Sequence, residues 1–290
     1  MPQETQIPFA QAPQSPFPTA KTVILPIPYG GTTSYGGGAE KGPQAILEAS
    51  CYMELFDEEL KKEIWRTGLH TLPFLEPDLT GPKETLAKIT KTCLPIFKQQ
   101  KRIAVLGGEH SITTGVLWAL QQADPRPFSV LQLDAHADLR NTYQGTGFSH
   151  ACVMRRIHEM GHPFVQVGLR SLSEKEWSFI EDNGLMDNVF WARKIIPEQN
   201  DVWMDQVIAR LNERVYITID LDVLDPGIFP ATGTPEPGGL DYYTLLKLLR
   251  RVTQERDVVG FDLVELAPIA GQPASDFLAA RIAYKMMGYM

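Results

Sequence analysis

Asp134, His136 and Asp138 stand two residues apart, separated by alanines, at the end of the apolar run from Ser129 to Leu133. In an extended chain alternate side chains share a face, so two carboxylates and an imidazole converge on one spot. A second set closes another apolar run, where Val215 to Ile219 leads into Asp220-Leu221-Asp222. Like charges at the end of a buried strand repel and are costly unless something cationic neutralises them. A further donor, His110, follows the run Ile103 to Leu106 within Gly107-Gly108-Glu109-His110-Ser111. His110, Asp134, His136, Asp138, Asp220 and Asp222 make six candidate ligands, four of them carboxylates, which exceeds what one four-coordinate zinc needs. They suit a pair of ions sharing bridging carboxylates. Mainly hard oxygens with two imidazoles and no thiolate favour Mn²⁺ over Zn²⁺ or Cu²⁺. Two ions about 3.5–4 Å apart can hold one water and lower its pKa toward neutrality, so the implied chemistry is hydrolysis at an electrophilic carbon or phosphorus.

Competing motifs are weaker. His158-Glu159-Met160-Gly161-His162 has the H-E-x-x-H pattern, but Gly161 weakens a helix and Pro163 pushes His162 out of the α region. The glycine-rich stretch Tyr29 to Gly38 has no Gly-Lys-Ser/Thr after Gly31-x4-Gly36, so a P-loop fails and a flexible rim loop is expected. Cys51, Cys93 and Cys152 lack metal spacing and read as small buried hydrophobes. A phosphoesterase is disfavoured because no Arg or Lys cluster accompanies the ligand-bearing segments.

These residues need elements to position them. Apolar runs at 22–27, 67–72, 103–106, 129–133, 164–168, 188–191, 215–219 and 258–261 read as strands. Between most of them lie helical patterns, at 84–98 with Pro95 predicting a kink or early end, and at 111–123, 151–160, 202–213, 242–253 and 277–287. Ser173 with Glu176 forms a capping box for a helix over 173–183. Such alternation implies a three-layer α-β-α sandwich around a roughly eight-stranded, mainly parallel sheet, with a closed barrel as the competing architecture. In open sheets ligands bind beyond the carboxyl ends of the strands, which is where all six candidate ligands fall.

Residues 1–21, with Pro2, Pro8, Pro13, Pro16 and Pro18, suit an extended N-terminal arm, and residues 22–290 a single domain with no internal repeat. The net charge of -8 argues against a nucleic-acid partner. With no leader pattern and no long apolar run, a cytoplasmic protein without a membrane partner is expected.

Taken together, the segments 107–111, 134–138, 149–151, 220–226 and 232–239 resemble the signatures of the ureohydrolases, the family of arginase and agmatinase, and the likeness runs from about Thr22 to the C-terminus. The resemblance implies an arginase-like fold, two Mn²⁺ per subunit, a homotrimer or homohexamer, and urea release from a small guanidino substrate. His110, Asp134, Asp138 and Asp220 would bind one manganese and Asp134, His136, Asp220 and Asp222 the other, with Asp134 and Asp220 bridging. Asp138 would orient the attacking hydroxide and pass its proton to the departing amine. His150 matches the proton-shuttling histidine, and Glu265, in Val264-Glu265-Leu266-Ala267-Pro268, the carboxylate that pairs with the guanidinium. Asp225 and Asp262 are left as structural.

The interval Leu139 to Ser149 departs from the hydroxyl- and Asn-rich segment of arginase and looks like bacterial agmatinases. Agmatine, cleaved to putrescine and urea, is the first expectation, with guanidinobutyrate, arginine or a non-catalytic metal-binding role as alternatives. Glu40, Lys41 and Gln44 stand where the family's first loop usually carries arginines.

Overall fold

The structure, a computed structural model, describes residues 7–198 and 200–290. In chain order the strands are β1 (Thr22–Ile27), a small antiparallel pair β2 (Phe56–Asp57) and β3 (Lys62–Glu63), then β4 (Leu69–Thr71), β5 (Arg102–Gly107) and β6 (Ser129–Leu133). They continue with β7 (Phe164–Leu169), β8 (Val189–Trp191), β9 (Arg214–Asp220) and β10 (Asp257–Val264). Apart from β2 and β3, all pair in parallel in one sheet of order β4-β1-β5-β10-β9-β6-β7-β8. The sheet is open, with β4 and β8 at its edges, so the barrel does not form.

The strands read as unbroken apolar runs because both faces are covered. Ile24, Ala104, Leu131 and Val165 face one core, packed by helices α1 (Gly42–Ser50), α7 (Val202–Ala209), α8 (Tyr242–Glu255) and α9 (Ala274–Tyr289). Val23, Ile103, Val130 and Phe164 face the other, packed by α2 (Pro82–Lys98), α3 (Ile112–Ala123), α4 (Val153–Glu159) and α5 (Glu174–Asp182). The short α6 (Ala192–Ile195) follows β8.

Two features position the site. The crossover from β5 through α3 to β6 leaves a gap of two strands, later filled by β9 and β10, and a crevice opens beyond the strand ends where the order reverses. The capping box at Ser173 is present, and Glu176, its carboxylate, also accepts the Leu139 amide at 3.0 Å, pinning the loop after Asp138.

Some expectations are revised. Pro95 does not end α2, which runs on to Lys98; having no N–H, it leaves the Lys91 carbonyl without its helical donor, a loss the helix tolerates. The prolines suggested an extended arm, yet residues 7–20 form two 3-10 turns and pack against the domain. Phe9 stacks on Tyr284, and the amides of Phe9 and Ala10 donate to Thr71 and Ser50. Residues 1–6 of that arm lie outside the described residues.

Candidate active site

The six candidate ligands come from three strand ends. His110 follows β5 at the entrance to α3, Asp134 to Asp138 follow β6, and Asp220 and Asp222 close β9. Their side chains fall into two clusters, His110 with Asp134 and Asp138, and His136 with Asp134 and Asp222. Asp134 belongs to both: its Oδ2 lies 3.1 Å from His110 Nδ1 and its Oδ1 3.7 Å from His136 Nδ1. Asp138 is 3.1 Å and Asp220 3.4 Å from His110 Nδ1, while Asp222 is 2.7 Å from His136 Nδ1. Asp220 thus stands beside the first cluster, and its Oδ1 accepts the Asp222 amide at 2.9 Å.

The orientation of His110 is set from behind. Its Nε2–H donates to Thr218 Oγ1 at 2.8 Å, and the Thr218 hydroxyl donates to Asp262 Oδ1 at 2.6 Å. Asp262 is fully buried and also receives Thr113 and Tyr216 hydroxyls. Nδ1 is left buried, without a hydrogen-bond partner among the described residues, facing three carboxylates. An imidazole nitrogen so placed, with carboxylate oxygens around it, has the chemistry of a cation site. Other carboxylates are tied down as well. Gln132 Nε2 donates to Asp134 Oδ2 at 2.6 Å and the Ala135 amide to Asp222 Oδ1 at 2.9 Å.

Burial dominates the electrostatics. It pushes Asp138 up to about 7, with Asp134 adding to the rise, and it raises Asp220 and Asp222. Burial opposes ionisation of Asp134 too, but His110 and His136 outweigh it and hold this carboxyl low. Carboxylates crowded in this way bind protons or cations in competition, so metal binding there is coupled to proton release.

Glu265 leaves β10 in the left-handed region, φ 65°, as does Asp138, φ 52°, conformations that non-glycine residues adopt only when their surroundings enforce them. The Glu265 amide is held by Gly108 O and its Oε1 accepts the His110 amide at 2.7 Å. Burial, then Glu109, pushes its carboxyl up to about 8. Glu265, His150 and five of the six candidate ligands line a cavity of about 280 Å³; Asp134 is buried behind it. His150 lies beside Thr32 and edge-on to Tyr143, with ring centroids 5.6 Å apart.

Several residues of this site escaped the sequence reading. The glycine-rich segment is no free rim loop at Thr32, which is buried and bonded to Glu109; Thr33 to Gly36 line the cavity. Asp262, assigned to structure alone, supports His110 through Thr218. A polar residue inside each of two apolar strands was the available signal, since buried polar groups need partners. Arg170 was also missed: it donates to the carbonyls of Gly168, Asp222, Val223, Leu224 and Glu236, fixing the segment after β9.

The rival motifs dissolve. Helix α4 ends at Glu159, Gly161 has φ 80°, and His162 stacks on Phe128 at 3.9 Å, away from His158, which meets Phe179. All three cysteines are free thiols, and burial raises Cys93 and Cys152, which makes them poor nucleophiles.

A family model described as the Arginase family matches residues 20–288. Among its relatives, a protein named N(1)-aminopropylagmatine ureohydrolase, of Synechocystis sp., is 42% identical, over 93% of this chain and 89% of its own. An agmatinase of Pyrococcus horikoshii is 36% identical, over 93% of this chain and 92% of its own. The crystal structure of agmatine ureohydrolase of Thermoplasma volcanium superposes with a TM-score of 0.87 at 28% identity, covering 98% of this chain and 94% of that one.

Proposed function

The chain belongs to the arginase family, as a hydrolase of guanidino compounds, and from that premise we propose that it releases urea from N1-aminopropylagmatine, with agmatine as the second reading. The observation that carries the chemistry is that His110, His136, Asp138, Asp220 and Asp222 line one cavity beside Glu265, with Asp134 behind them within reach of both histidines. In this reading His110, Asp134, Asp138 and Asp220 hold one Mn²⁺, and Asp134, His136, Asp220 and Asp222 a second. When bound, the pair supplies an activated water and a Lewis acid.

The chain's own groups do the rest. Glu265 receives the guanidinium, its carboxylate fixed by the His110 amide. Asp138 takes a proton from the attacking water and passes it to the amine nitrogen as the carbon–nitrogen bond breaks. His150 exchanges protons between this nitrogen and solvent. One water is consumed, and urea and the corresponding amine leave; from the aminopropylated substrate that amine is a triamine.

Charge supports a cationic substrate. Of the five acids lining the cavity, Asp138, Asp220 and Asp222 are metal ligands in this reading and Glu176 engages Arg140 at 3.8 Å, which leaves Glu265 to face the substrate and, among the described residues, no unengaged Lys or Arg to repel it. The choice of the longer amine follows the Synechocystis relative, which is more similar to this chain than the Pyrococcus agmatinase. The same reading places the enzyme in the cytoplasm as a homotrimer or homohexamer, a state that sedimentation measures directly. No helix of the described residues is long and apolar enough to cross a membrane.

The test is urea release by Mn²⁺-loaded and metal-depleted protein from N1-aminopropylagmatine, agmatine, arginine and 4-guanidinobutyrate. Metal-dependent turnover with at least about tenfold preference for the first, equivalent to about 1.4 kcal/mol in the transition state, is expected. Preference for agmatine selects the second reading; preference for guanidinobutyrate overturns the charge reasoning; no urea from any substrate overturns the activity.

A further inference from the structure

Thr32 joins a buried carboxylate to the imidazole of His150. Glu109 has no exposed surface and accepts three hydrogen bonds of 2.6 Å, from the Thr32 amide, the Thr32 hydroxyl and the Ser111 hydroxyl. Three donors on one buried carboxyl describe an acceptor, so the single proton of the Thr32 hydroxyl is committed to Glu109. Only lone pairs remain on Thr32 Oγ1 for other partners. They receive the His150 amide at 3.1 Å and face His150 Nδ1 at 3.3 Å. An oxygen with no proton left to give requires the ring nitrogen to carry one. Neutral His150 is therefore protonated at Nδ1, and its lone pair sits on Nε2.

The surroundings enforce this arrangement. One Thr32 oxygen grips both the backbone and the ring of His150, and Tyr143 closes on the ring edge-on. The turn that delivers Thr32 is tight: a Cβ at Gly31 would lie 2.5 Å from the Tyr29 hydroxyl.

We propose that Thr32, held by Glu109, is a positioning residue that fixes His150 in its Nδ1–H tautomer and presents Nε2 as the atom that gives and takes the reaction's proton. The proposal rests on the reading of His150 as the shuttle. Carboxylate, hydroxyl and imidazole are here in series, so the hydroxyl transmits the orienting effect that a carboxylate exerts directly in a triad.

The experiment is ¹⁵N NMR of the histidine rings in the full chain loaded with diamagnetic Cd²⁺, alongside steady-state kinetics of the Mn²⁺ enzyme, for wild type, Thr32→Val, Thr32→Ser and His150→Ala. Wild type and Thr32→Ser are expected to show His150 protonated at Nδ1. Thr32→Val is expected to release the ring to the other tautomer and to lower kcat about 10–100-fold, the usual cost of losing such outer support, with two metals retained and KM within about threefold. Thr32→Ser restores kcat. An Nε2–H ring in wild type, or full kcat in Thr32→Val, overturns the proposal. Should Thr32→Val fail to fold, the wild-type tautomer decides alone. Full turnover by His150→Ala would instead remove the shuttle reading, leaving the ring spectra to judge the Thr32 contact.

Discussion

Thr218 on β9 and Asp262 on β10 face each other in register, and the 2.6 Å hydrogen bond between them turns the Thr218 oxygen into an acceptor for His110 Nε2–H. That donor chain leaves His110 Nδ1 as the nitrogen available to a metal. Thr218→Val keeps the side-chain shape and removes the acceptor. It should weaken the metal at the His110 cluster about 10–100-fold, measured by calorimetric titration of metal-depleted protein. Unchanged affinity would show that the tautomer is set by something else.

His136 belongs to one ligand cluster only. His136→Ala should therefore reduce bound manganese from two ions toward one per subunit in elemental analysis of dialysed protein. Two tightly held ions in that variant would sink the ligand assignment.

Glu265→Gln preserves the acceptor for the His110 amide but removes the carboxyl that a bound guanidinium would hold ionised against its rise to about 8. A hydrogen bond to a charged partner is worth about 1.5–3 kcal/mol, so kcat/KM on guanidino substrates should fall by at least about tenfold while metal content stays constant. Equal losses of metal and activity would instead assign Glu265 to the scaffold.

Lys285, on α9 and nearly buried, is 3.0 Å from the fully buried Asp57 and 3.1 Å from Glu59, tying the β2–β3 pair to the last helix. Lys285→Met strands a buried carboxylate and should cost about 3–5 kcal/mol in urea unfolding. Adding Asp57→Asn should return part of it. A single variant as stable as wild type would contradict this account of the ion pair.

Burial pushes His150 down to about 4, below the ordinary 6.5, so the folded chain keeps this ring neutral where the unfolded chain protonates it. Between pH 4 and 6.5 the unfolded state binds the extra proton, and this group's contribution to stability falls as pH falls through that window. The stability difference between wild type and His150→Asn, measured on metal-depleted protein, should be smaller at about pH 5 than at about pH 7.5. An equal gap at both pH values would mean that the ring titrates normally.

The sheet was legible because each strand is a continuous apolar run; the close spacing of Asp134, His136 and Asp138 showed that they gather, but the segment bends beyond β6 and Asp138 turns to φ 52°, which strand alternation does not describe. Pattern could not show what meets across space. Thr32 and Glu109 are far apart in sequence and lie in unrelated contexts, one in a glycine-rich turn and one before a ligand. Nothing local marks their bond. The pairing of Thr218 with Asp262 required the order of β9 and β10 in the sheet, which periodicity does not encode. Proline content misled for residues 7–20, since it reports backbone stiffness and not the apolar side chains, such as Phe9, that anchor the segment.

The strand order has a temporal side. β5 and β6 are consecutive strands in the chain, yet the two strands that separate them in the sheet, β9 and β10, come about 80 residues or more after β6. During synthesis His110 and Asp134 emerge well before the strand that sets their spacing, and before Asp220, Asp222 and Glu265. Such long-range closure slows folding. On the proposed reading, a nascent chain that has not yet reached β9 carries His110 and Asp134 to Asp138 but neither Asp220 nor Asp222, so it holds ligands without a complete site.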